Sequence, residues 1–106
     1  MDNILKSAQE QFREVQSLLI QPSANNDYFT QLSIATEEAY FVMNSGMCNT
    51  AECEHCMQHR DFIRSVMDVL GELEIDSAKA EKYTTILKEY AARVNLILER
   101  IAIFLS

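Results

Sequence analysis

All three cysteines and both histidines of this 106-residue chain fall within thirteen residues, Met47 to His59. Thiolate and imidazole are preferred zinc donors. Cys48, Cys53, Cys56 and His59 form a Cys-x4-Cys-x2-Cys-x2-His set, as many ligands as a closed tetrahedral site takes. Cys56 and His59, three residues apart, share one helical face. From Cys53 to His59 a regular helix climbs about 9 Å, so one ion reaches all three only if Cys53 lies on a loosened first turn. Cys48 then folds back from the preceding loop as the fourth ligand. An ion held this way is structural, deprotonates its own thiols and clasps the link between two helices. The plainer alternative needs no metal. Free cysteine packs as a small hydrophobe, Cys56 falls on an apolar stripe, and His59 can serve as a core histidine bonded to the backbone. His55 points away from that stripe.

Other chemistries fit the segment less well. Cys53-Glu-His-Cys56 is a Cys-x-x-Cys pair at a helix start, where the dipole lowers a thiol pKa, but Glu52 and Glu54 push the other way. No alternation of strands and helices surrounds it as in thioredoxin-like proteins. Met57 follows the second cysteine where haem attachment needs histidine. A di-iron bundle needs two Glu-x-x-His elements. This chain has one, Glu52-Cys-Glu-His55, with Glu37 and Glu38 on a neighbouring helix, so only a symmetric dimer completes such a centre. Ser45 and His55 lack an orienting acid, and no glycine-rich phosphate loop is present. The expectation is a protein that is not an enzyme.

Four stripes of apolar residues at three- and four-residue steps carry this segment. Leu5, Ala8, Phe12, Val15 and Leu19 mark a first helix. Pro22 and the polar run from Ser23 to Asp27 break the chain. Tyr28, Leu32, Ala35, Ala39 and Val42 mark a second, expected to close at Asn44-Ser45-Gly46. A third, capped by Asn49 or Thr50, carries Cys56, His59, Ile63, Val66, Leu70 and Leu73. A fourth, capped by Asp76 or Ser77, carries Ala80, Tyr83, Leu87, Tyr90, Val94, Ile97, Ile101 and Phe104. Tyr83 and Tyr90 are expected to bring their hydroxyls to the rim of that stripe. The last helix looks about two turns longer than the first and is apolar around most of its circumference, from Leu96 to Leu105. Met43, Met47, Met57 and Met67 cluster around the second and third helices, as core filler or as an adaptable partner groove.

Two glycines, one proline and no tryptophan in a chain 48% apolar argue for long helices with short links. No run is long enough to span a membrane, and Met1-Asp2-Asn3 is not the basic start of a secretory signal. Cysteines without an export signal suit a reducing compartment, so a cytoplasmic location is expected. The net charge is −7, and no lysine or arginine lies between Arg13 and Arg60, a stretch that holds Glu14, Asp27, Glu37, Glu38, Glu52 and Glu54. Such a middle repels phosphate backbones, excluding direct nucleic-acid binding and suiting a basic protein or a cation.

The fold expected is all-α: an antiparallel four-helix bundle, or a dimer of helical hairpins, over residues 1–106 as one domain. The Cys/His-containing loop joins helices 2 and 3. The function expected is binding of a protein partner, a second copy included, by a regulator, adaptor, chaperone or inhibitor. Contact is assigned to Glu37, Glu38, Tyr40 and Phe41 on the acidic face of the second helix and to Ile103, Phe104 and Leu105 at the apolar end of the fourth. No small-molecule substrate is evident, and the cofactor is a structural zinc or none. The chief alternative is a zinc- or thiol-dependent switch using Cys48, Cys53, Cys56 and His59. An enzyme built on a dimeric metal centre and a nucleic-acid mimic rank below it.

Overall fold

With so few glycines and prolines to interrupt it, the chain winds into helices almost throughout. The computed structural model describes residues 2–23, 25–44 and 54–105, with side chains described at 5–23, 25–44, 58–103 and 105. Among the described residues four α-helices follow one another: α1 Asp2–Ile20, α2 Asn26–Val42, α3 Glu54–Ile75 and α4 Thr84–Leu105. A 3-10 helix, Ser77–Tyr83, leads into α4. No strand occurs among the described residues. None of the described helices is long and apolar enough to cross a membrane.

The stripes bury as their spacing requires. Ala8, Phe12 and Val15 of α1, Leu32, Ala35 and Ala39 of α2, Ile63, Val66, Leu70 and Leu73 of α3, and Val94, Ile97 and Ile101 of α4 converge on one core. Each large aliphatic side chain so buried stabilises the fold by about 1.5–3 kcal/mol of transfer free energy. Met43 is fully buried and Met67 packs at the edge of the core, as filler. α1 packs against both α2 and α4, α2 against α3, and α3 against the 3-10 helix and α4. A radius of gyration of 13.6 Å fits one domain of this length.

Local hydrogen bonds set the corners. Asn25 caps α2, its Oδ1 accepting the Tyr28 backbone N–H at 2.8 Å while its Nδ2 donates to Ser23 Oγ at 2.7 Å. The Tyr28 hydroxyl donates to the Leu18 carbonyl at 2.7 Å, pinning the start of α2 to the last turn of α1. Partial burial raises the Tyr28 pKa above its ordinary value. α2 ends at Val42 and continues as a π-type turn through Met43 and Asn44, where the Met43 N–H reaches both the Ala39 and Tyr40 carbonyls. The expected stop at Gly46 and caps at Asn49 or Thr50 lie outside the described residues.

The fourth helix departs from its expected form in two ways. Asp76 does cap it, but its carboxylate accepts from Ala78 N–H and its carbonyl from Lys79 N–H, a three-residue closure that starts a 3-10 rather than an α turn. Tyr83, at the end of this 3-10 helix, packs half-buried against the core and brings its hydroxyl to the rim, where it donates to a Glu72 carboxylate oxygen. The α-helix proper therefore has 22 residues against 19 for α1, less than one turn longer and not two.

Tyr90 corrects another expectation. Its hydroxyl does not reach the rim but lies in the core, donating to Thr36 Oγ1 at 2.9 Å. Burial pushes the Tyr90 pKa well up, the Thr36 bond offsetting a little of the rise. The sequence stripe shows that position 90 is internal. It does not show that a polar threonine waits opposite, since Thr36 lies off the stripe of α2.

Candidate functional site

Phe41 is one of several large apolar side chains that the core leaves exposed, with Ile75 and Ile103. It is 71% exposed near the end of α2, and Ile34, two turns earlier, is 51% exposed. Glu37 and Glu38 lie between them on the same surface. The spacing 34, 37, 38, 41 is that of one helical face, so the outward side of α2 alternates apolar, acidic and apolar groups along about 10 Å. Of the contact residues expected on this helix, Glu37, Glu38 and Phe41 are exposed, whereas Tyr40 is half-buried and packs against the core. Among the described residues neither Glu37 nor Glu38 takes part in an ion pair; the Glu89–Arg93 pair, at 3.2 Å, belongs to α4.

Beside this stripe runs a cleft of about 360 Å3 between α1 and α2, lined by Glu14, Ser17, Leu18, Gln31, Ile34, Ala35 and Glu38. α1 thus adds a carboxylate and an apolar floor to the face of α2. Sequence reasoning missed Ile34, Glu14 and Leu18 as members of this surface. The signal for Ile34 was present: it stands seven residues before Phe41 and off the core stripe. Nothing in the spacing of α1 says that Glu14 and Leu18 turn toward α2.

The apolar end of α4 is built differently from the expectation. Ile103 is 72% exposed, while Leu105 is half-buried and packs on the core. The Phe104 side chain lies outside the described residues. Leu96, two turns before Ile103, is also exposed at 55%, with Glu99 and Arg100 between them. Thr36 and Tyr90 meet inside the core, so the exposed faces of α2 and α4 look away from each other. They are two surfaces and not one.

The Cys-His segment is only partly in view. Cys48 and Cys53 lie outside the described residues, and Cys56 is on α3 with its side chain likewise outside them. His59, three residues along α3, is half-buried. Arg60 Nη1 donates to Asn44 Oδ1 at 3.4 Å, a long bond that ties the last described turn of α2 to the start of α3. The two ends that bracket the segment are therefore held together. Among the described residues no three His, Cys, Asp or Glu side chains gather to hold a metal ion.

A second cleft, about 400 Å3, opens where the α1–α2 link meets the 3-10 helix, lined chiefly by Leu19, Pro22, Tyr28, Phe29, Ala80 and Leu87. Ser23, Glu81, Thr84 and Lys88 add polar groups to its lining. No protein family, curated protein or solved structure matches this chain.

Proposed function

We propose that this chain is a non-enzymatic protein-interaction module: an antiparallel four-helix bundle that binds a protein partner through the acidic, apolar-tipped face of α2. The observation that carries this reading is the exposure of Phe41 and Ile34 on either side of Glu37 and Glu38. Large apolar side chains gain nothing from water, and two of them at helical spacing beside carboxylates with no ion pair among the described residues suit a complementary surface. The exposed Leu96 and Ile103 on α4 form a separate surface, suited to a second contact with the same complex or to another copy of the chain. The bundle assignment draws support from the neighbour pattern of the helices and from the Tyr28–Leu18 bond between consecutive helix ends.

Affinity capture from the native lysate tests the reading, with wild-type and Phe41→Ser baits compared. A stoichiometric protein retained by the first and lost by the second supports it. Identical captures from both baits contradict it.

The Arg60–Asn44 bond favours a second role for the segment between α2 and α3. A zinc ion on Cys48, Cys53, Cys56 and His59 would reinforce a junction that this bond already closes, and its loss would loosen the end of α2 beside Phe41. In that form the clasp serves the binding face as a zinc- or thiol-dependent switch.

A further inference from the structure

We infer that the groove between α1 and α2 receives a basic amphipathic helix of a partner protein. The inference rests on the proposed binding face and names what covers it. Ile34 lines the groove and Phe41 stands two helical turns further along α2, beyond its lining, so a helix laid along the groove and past its end meets both with apolar side chains of its own at the same seven-residue spacing. Such an element matches both the length and the period of the site. An extended strand does not, because it has no edge of unpaired backbone to pair with on a helical surface.

Charge selects among helices. Glu14 lines the groove from α1 and Glu38 from α2, and Glu37 is exposed beside Glu38 on the outer face of α2. None of the three takes part in an ion pair among the described residues. Arg13, the nearest cation in sequence, sits about 100° round α1 from Glu14, and the next along the chain is Arg60. A partner with acidic flanks meets uncompensated repulsion here, and a neutral one leaves the carboxylates half desolvated without a counter-charge. Lysine or arginine between the apolar positions satisfies both constraints.

Leu18 and Ala35 complete the argument. They give the cleft an apolar floor of about 360 Å3 in total volume, room for one or two inserted side chains rather than a whole ligand. A small cation or a free amine would use the carboxylates and leave this floor and Phe41 exposed to water. The occupant therefore needs both characters at once.

The test is fluorescence anisotropy on the full chain with a labelled helical peptide of about 18 residues, long enough to hold helix, built of leucine at helical spacing and lysine elsewhere. A glutamate counterpart of the same leucine pattern serves as comparison. The lysine peptide is expected to bind and the glutamate peptide not. Phe41→Ser and Glu38→Gln are each expected to weaken binding on the order of tenfold, and raising salt from low to about 0.5 M to weaken it comparably. Lys79→Ala, on the 3-10 helix and outside the groove's lining, leaves it unchanged. Glu38 in the groove and Phe41 beyond it are both exposed, so far-UV circular dichroism of the variants should match wild type. Absence of binding, equal affinity for the two peptides, or indifference to both substitutions overturns the inference. If the peptide fails while lysate capture still depends on Phe41, only the identity of the occupant falls. If capture is also indifferent to Phe41, the binding face falls with it.

Discussion

Removing the Tyr90 hydroxyl should cost more than one hydrogen bond. Tyr90 and Thr36 are both fully buried, and the 2.9 Å bond between them links α2 to α4 inside the core. Tyr90→Phe keeps the ring and its apolar burial. It removes a neutral bond of about 1 kcal/mol and strands the Thr36 hydroxyl without its partner, for a total of about 1–2 kcal/mol. Thr36→Val keeps the shape and strands the phenol instead, at about 1–3 kcal/mol. The double variant strands neither group and should lie within about 1 kcal/mol of wild type, so the cost of the pair falls short of the sum of the singles by about 1 kcal/mol or more. Urea unfolding followed by circular dichroism reads all four proteins, with slopes expected to agree because the exposed surface barely changes. For a domain of this size the Tyr90→Phe loss corresponds to a fall in Tm of about 4–8 °C per kcal/mol. Single costs that simply add in the double variant, within about 0.5 kcal/mol, would refute the claim that the pair acts as a unit.

Further outcomes follow from other parts of the fold. Asn25→Ala should destabilise the protein by about 1 kcal/mol in the same urea assay and Asn25→Asp by much less, since aspartate can still accept the Tyr28 N–H. Burial raises the pKa of Tyr90 and, less, of Tyr28, so above pH of about 10 the unfolded chain releases protons that the native state retains. Stability is then whole below that pH and falls as pH rises past it. Comparing pH 9 with pH 11, Tyr90→Phe should lose less than wild type, and an equal loss would show that Tyr90 does not contribute. If the Cys-His clasp holds zinc, protein purified without chelator carries one equivalent by elemental analysis, lost in Cys53→Ser; metal-free protein removes the zinc form of the switch.

Helix periodicity carried most of the architecture. Ala8, Phe12 and Val15 of the α1 stripe and Ile63, Val66, Leu70 and Leu73 of the α3 stripe are buried where their spacing marks them, because a four-residue step on a helix leaves few ways to turn a large apolar side chain from the core. The start of α4 was not legible. Ser77 to Tyr83 is a good helix sequence, and only the three-residue closure at Asp76 decides in favour of the tighter winding. Position 36 illustrates another limit: a threonine in a helix is usually counted as polar surface, and its burial depends on a tyrosine 54 residues further along the chain. The binding face was half legible. Glu37, Glu38 and Phe41 stand out in one turn of sequence, whereas Glu14 and Leu18 join them only through the packing of α1 on α2.

A photo-crosslinking side chain placed at position 41, in protein expressed in its native cells, tests the binding face most directly. One heavier species containing a second protein is predicted, and the same probe at position 79 should give none. Absence of any adduct from position 41, or the same adducts from both positions, would contradict the assignment of α2 as the surface this protein works through.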